Sequence, residues 1–119
     1  MIIVNILLAT ICFTSKVNDK LTCHNALVGS DTPQGTYVVQ QRLTDDAFYG
    51  GDVLQFLEDE KEVYAIHRVW LGRPYEHRER RIKSRDPKQR HITKGCINVE
   101  PEIYDVLVKE HSTDILVIK

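Results

Sequence analysis

The sequence predicts a mainly β fold with a few helices, and three observations carry that expectation. Apolar and β-branched runs recur about six times along the chain. Clusters of Gly, Pro, Asn and Asp separate them at short intervals. Only two stretches carry helical chemistry, each opened by a proline. Such a pattern suits a curled sheet or a sandwich. The 119 residues, 42% apolar and 28% charged, suit one globular domain over 1–119 with a real core. No internal repeat or low-complexity linker marks a second one.

The first expected strand covers residues 2–13. It is rich in Ile, Val and Thr, which favour a pleated, half-buried surface. Its apolar run is too short to cross a bilayer as a helix. It lacks the basic start and small-residue cleavage site of a signal peptide, so it reads as a strand rather than a targeting segment. Asn18 and Asp19 supply turn chemistry, and residues 21–28 form the second strand, which makes the opening a hairpin. "GSDTPQG" is a loop, residues 36–43 a third strand, and "DDAFYGGD" a second loop. Residues 53–57 and 62–69 are strands around the acidic turn "EDEKE". Pro74 opens a helix through "YEHRERRIKS", which must stop before Pro87 because a proline disfavours helix at Asp86. Pro101 opens a second helix with Ile103, Leu107, Tyr104 and Val108 on its apolar face. "TDILVIK" closes the chain as a strand.

Charge is unevenly spread. The net value is −1, yet residues 73–94 hold nine Lys or Arg against three acids, so that segment is +6 and the remainder −7. This suits either a basic surface facing an anionic partner or a solvated charged helix. Nucleic acid is the weaker partner, since no aromatics follow Tyr75 in the basic run and no nucleic-acid-binding motif fits it.

The chemistry centres on "RHITKGCINV". Cys96 follows Gly95 and lies between the basic segment and the helix opened by Pro101. Backbone N–H groups at such a turn can hold an oxyanion. Neighbouring positive charge lowers a thiol's pKa. A cysteine nucleophile also needs a base. His67 ends the apolar strand "VYAIHRVW" and shares a face with Val63, Ala65 and Val69. A histidine there is more often a satisfied core residue, and His91 is the rival base. Cys96 itself has a plainer reading as a small buried hydrophobe. Cys12 and Cys23 lie on the two arms of the opening hairpin. They read as buried small side chains, with a disulfide as the alternative in an oxidising compartment. No metal-ligand spacing occurs.

"AIHRVW" followed by "ITKGCINV" resembles the active-site signature of the L,D-transpeptidase catalytic domain, the YkuD-like family. That signature has a histidine after an apolar strand, then Ser/Thr-x-Gly-Cys, a hydrophobic residue, and Arg or Asn. Here these are His67, then Thr93, Gly95, Cys96, Ile97 and Asn98. "LVGSDTPQGTYVV" resembles the family's earlier loop and strand, and the three pieces come in the right order over most of the chain. Lys94 stands where many members carry histidine, and the spacing from His67 to Cys96 is longer than the commonest form. The added segment reads as a lid or cap over the site.

The resemblance implies a β-sandwich or barrel and a bacterial enzyme of the periplasm or cell wall that acts on peptidoglycan stem peptides. Cys96 would be the nucleophile and His67 the base, oriented by the Arg68 carbonyl. Gly95 and Cys96, with Thr93 or Lys94, would form the oxyanion hole, and Asn98 and Thr93 would brace the loop. Arg78, Arg81 or Arg85 would bind stem carboxylates. No metal or organic cofactor is implied, and neither is a membrane span. An L,D-carboxypeptidase, or another cysteine acyltransferase on the same scaffold, is the nearest alternative. A non-catalytic peptidoglycan-binding module is the alternative from a different class.

Overall fold

The computed structural model describes residues Met1–Lys119. Nine strands form two mixed sheets. They are β1 (Ile2–Asn5), β2 (Thr10–Thr14), β3 (Leu21–Asn25), β4 (Gly35–Val38), β5 (Gln40–Leu43), β6 (Asp52–Glu58), β7 (Val63–Arg68), β8 (Ile97–Val99) and β9 (Ile115–Ile118). The first sheet has the order β3-β2-β1-β9-β4 and the second β5-β6-β7-β8. Two helices, α1 (Arg78–Arg81) and α2 (Pro101–His111), complete the fold. No helix is long and apolar enough to cross a membrane.

Burial alternates along β1 and β2, and their inward side chains meet those of β6 in the core. Ile2, Val4, Ile11, Leu54, Ile66, Leu116 and Ile118 are fully or almost fully buried there. Helix α2 turns Tyr104, Leu107 and His111 inward, a three-then-four spacing that one helix face requires. Ile103 and Val108 only flank that face. A second cluster of Leu27, Val69 and Ile82 lies under the basic segment.

The elements after residue 50 follow the sequence reading except in the basic segment and at β8, a strand it did not assign, and the earlier ones depart from it in three ways. Residues 2–13 are not one strand. The chain turns at residues 6–9, with Ala9 in a left-handed conformation, and β1 pairs antiparallel with β2. Residues 36–43 are split at Val39 between the two sheets. Val39 is 1% exposed and its N–H donates to the Asp114 carbonyl, so the core draws the chain from one layer to the other. Cys12 and Cys23 are directly opposed on β2 and β3 and form a disulfide, which replaces the reading as buried free thiols. Cys23 is exposed, so burial was the wrong expectation there.

The basic segment is not one helix. A 3-10 turn at Pro74–Glu76 ends on His77 in a left-handed conformation, and the short α1 follows. This break lets Ile82 drop into the cluster with Leu27 and Val69. Arg90 is 3% exposed. Its guanidinium donates to the carbonyls of Leu8 (2.8 Å), Ala9 (3.2 Å) and Ser84. Asn25 Nδ2 donates to the Ile82 carbonyl at 2.9 Å. These bonds tie the segment to the body of the fold.

Arg90→Met removes the donor from three carbonyls at once, so it is expected to destabilise the fold by about 3 kcal/mol. Arg80→Met, at an exposed position of the same segment, is expected to stay within about 0.5 kcal/mol. Urea unfolding of both variants measures the difference.

Candidate active site

The site is built on the parallel pairing of β7 with β8. Its register sets Ile66 against Ile97, His67 against Asn98 and Arg68 against Val99. Alternation then puts Cys96 and Asn98 on one face of β8, beside Ala65 and His67 of β7. The loop before Cys96 is held from below. Gly29 approaches Thr93 so closely that a Cβ there would sit 1.9 Å from the Thr93 carbonyl oxygen. The Thr93 N–H donates to the Val28 carbonyl at 3.0 Å. The "GSDTPQG" loop is therefore the floor of the nucleophile loop. Gly95 has φ +147°, and a Cβ on it would meet the Tyr64 ring at 2.6 Å, so only glycine fits.

Cys96 and His67 line the same two clefts, of about 250 and 300 Å³. The first cleft is walled by Trp70 and by the basic segment through Arg73, Glu76 and Arg78, with Thr93 and Lys94 beside the cysteine. The second lies against β5 and β6, with Arg42, Thr44 and Asp45. Tyr49 and Val63 border both.

His67 is 2% exposed and its Nδ1–H donates to the Arg68 carbonyl at 2.7 Å. That carbonyl can only accept, so Nδ1 carries the proton and Nε2 carries the lone pair. Asn98 Nδ2 donates to Nε2 across 3.4 Å. The edge contact of the Tyr49 ring, centroids 4.6 Å apart, fixes the imidazole plane. Burial pushes the His67 pKa down to about 4. The Arg68 carbonyl and Asp46 act upward, Arg78 acts downward with burial, and burial wins.

The Cys96 thiol is half-buried, and its hydrogen bond goes to the Val63 carbonyl at 3.6 Å rather than to His67. Its pKa is raised, chiefly by burial, with Glu62 adding to it. The Ala65 backbone and the Arg78 charge act the other way and are outweighed. The expectation that the basic segment lowers the thiol's pKa is thus overturned. At rest the pair is a neutral thiol beside a neutral imidazole.

The loop's N–H groups are unequally committed. Gly95 N–H donates to Thr93 Oγ1 at 3.2 Å, and that hydroxyl donates to the Cys96 carbonyl at 2.6 Å. The N–H groups of Lys94 and Cys96 make no hydrogen bond within the protein. Those two are free to hold a developing oxyanion, whereas Gly95 serves the loop's own shape.

Of the three arginines expected to meet substrate, only Arg78 reaches the cleft. Arg81 Nε donates to the Gln89 carbonyl at 2.6 Å, and Arg85 is exposed and lines neither cleft. His91, the rival base, is tied through Nε2 to the Ile6 carbonyl at 2.6 Å. The Arg68 side chain faces away from the cleft chemistry, bonding Asp52 at 2.9 Å and covering the Tyr104 ring. Sequence reasoning missed Tyr49, Trp70 and Arg73. The aromatic pair inside the Gly/Asp-rich loop "DDAFYGGD" was the available signal for Tyr49.

No family model and no curated protein matches the chain. Solved structures do resemble it. An L,D-transpeptidase (Yku) from Stackebrandtia nassauensis superposes with a TM-score of 0.58 at 10% identity, over 99% of this chain and 54% of that one. Mycobacterium tuberculosis L,D-transpeptidase 1 gives 0.59 at 13% identity, over 99% and 60%. The chain thus spans somewhat more than half the length of each. At this identity the likeness is one of fold, and the mainly β, two-sheet architecture agrees with it.

A raised thiol pKa means little thiolate at neutral pH and more as pH climbs. Alkylation of Cys96 by iodoacetamide is therefore expected to keep accelerating beyond pH 9. A plateau near pH 6–7, the mark of a standing thiolate–imidazolium pair, would contradict it.

Proposed function

We propose that this protein is a peptidoglycan L,D-transpeptidase of the YkuD-like kind, with residues 1–119 as one catalytic domain and Cys96 as its nucleophile. The observation that carries the reading is the meeting of Cys96 and His67 in one cleft on this fold, with the His67 Nδ1–H held by the Arg68 carbonyl. Cys96 Sγ attacks the amide carbon after the third residue of a tetrapeptide stem, and its proton passes to His67 Nε2. The oxyanion lies against the free N–H groups of Cys96 and Lys94. The C–N bond breaks, His67 returns the proton to the departing D-Ala amine, and a thioester remains. An amine of a second stem attacks the thioester, His67 takes the proton that amine loses and hands it to Sγ, and a 3→3 cross-link and the free thiol result.

Two clefts meeting at Cys96 favour transfer over hydrolysis, because donor and acceptor can approach from different sides. With water as acceptor the same chemistry is an L,D-carboxypeptidase. Arg73 and Lys94 suit the stem carboxylates, since both line the cleft and neither is paired with a protein carboxylate. The Cys12–Cys23 disulfide suits an oxidising compartment, hence a bacterial periplasm or cell wall.

Incubation with a disaccharide-tetrapeptide, followed by intact-protein mass spectrometry, tests the reading. The expected result is a mass gain equal to the donor less its terminal D-Ala, absent in Cys96→Ala, with 3→3 dimers in solution. His67→Ala is expected to slow dimer formation at least about 100-fold. Binding of the stem with no adduct and no dimers would instead mark a non-catalytic module.

A further inference from the structure

Asn98 is fully buried, and its carboxamide orientation is unambiguous. Its Oδ1 accepts from the Trp70 N–H at 3.1 Å and from Arg78 Nη1 at 3.0 Å. Both partners can only donate, so the oxygen must face them and the amide nitrogen must face His67 Nε2. Arg78 is itself held firmly. Its side chain is 10% exposed, Nε donates to Glu76 at 3.0 Å, and the guanidinium lies 5.2 Å from the centre of the Trp70 ring. A guanidinium so committed is poorly placed to seize a substrate carboxylate. It is well placed to stop one amide from turning over.

We propose that Arg78 is a positioning residue, which locks the Asn98 carboxamide with its Nδ2 toward His67 and thereby holds the imidazole neutral and weakly basic. The inference rests on His67 acting as the base. When Nε2 gains a proton, its new N–H faces the Asn98 amide hydrogens, donor against donor. A free amide would turn over and offer Oδ1, stabilising the imidazolium. The Arg78 and Trp70 donors oppose that turn. The consequence suits acyl transfer, where the base must release its proton to the leaving amine within the same half-reaction. The charged and titratable groups acting on His67 are Arg78 and Asp46, and Tyr49 and Cys96 border the same clefts. Loss of the Arg78 charge and release of the amide push in the same direction, so the sign of the effect is fixed.

The test is ¹⁵N NMR titration of the His67 ring, which needs no substrate. In the parent protein the ring is expected to stay neutral, as the Nδ1–H form, down to about pH 4. In Arg78→Gln the midpoint is expected to rise by about one pH unit or more. Arg78→Lys keeps the charge without the fork between Glu76 and Asn98, and is expected to fall between the two. Asn98→Asp, which supplies a permanent acceptor, sets the upper end. A rise in Asn98→Asp with parent-like midpoints in both Arg78 variants would overturn the inference. So would a rise in Arg78→Gln with none in Arg78→Lys, since charge alone would then be the cause. The base reading fails separately, if His67→Ala forms the stem-peptide adduct and the 3→3 dimers at the parent rate.

Discussion

The parallel pairing of β7 with β8 is the constraint on which the rest of the site depends. β8 is only three residues long, and all three are buried. So short a strand cannot hold its register by its own ladder, and side-chain and loop contacts supply the rest. Asn98 pairs through its backbone with Leu27, whose N–H and carbonyl each bond it at 2.9 Å. Asn98 also spends its carboxamide on Trp70, Arg78 and His67. A slip of one residue would turn Cys96 to the opposite face and bury the carboxamide in the apolar core. Register and polar satisfaction therefore enforce each other, which explains an asparagine at a fully buried position.

Electrostatics at the site follow from burial more than from neighbouring charge. The basic segment is +6, yet the thiol it borders is harder to ionise than an ordinary cysteine. Desolvation of the half-buried thiol outweighs the opposing charge of Arg78, which is shared with Glu76. The imidazole is shifted the other way for the same reason. A pair whose two members both resist charging is not a stored ion pair. In the proposed reaction it would ionise only when substrate supplies the electrophile, with the proton's movement coupled to bond formation.

Much of this was legible in the sequence. The strands around residues 53–69, the helix at Pro101 and the closing strand could be read because hydrophobic period, turn residues and proline position agree there. The proximity of His67 and Cys96 came from a three-part resemblance rather than from periodicity. The misreadings share a cause, which is that local pattern does not reveal which layer a segment serves. Residues 36–43 are continuous as a β pattern, and only the fit of Val39 to the core splits them. Residues 74–84 form a helix by propensity, and only the pull of Ile82 into its cluster and of Arg78 toward Asn98 breaks it at His77. Cys12 and Cys23 look apolar in composition, but their pairing depends on a register visible only when β2 and β3 are aligned.

The wall formed by residues 73–94 raises a problem of its own, because a segment this basic ought to repel itself. It avoids neutralisation by acids almost entirely. Within it only Arg78 has a carboxylate partner, while Arg81 and Arg90 bond backbone carbonyl oxygens. A carbonyl satisfies a guanidinium's donors without cancelling its charge. The segment can then be rigid and still project positive potential over the first cleft, where Arg73 and Lys94 remain unpaired. Two of the accepting carbonyls, Ser84 after α1 and Gln89 in a 3-10 turn at Pro87–Arg90, lie at the ends of short helical turns, where a long helix would consume them internally. The broken helix is thus the means by which one segment supplies a wall of the cleft, a bond from Arg78 to the Asn98 carboxamide and an uncancelled charge together.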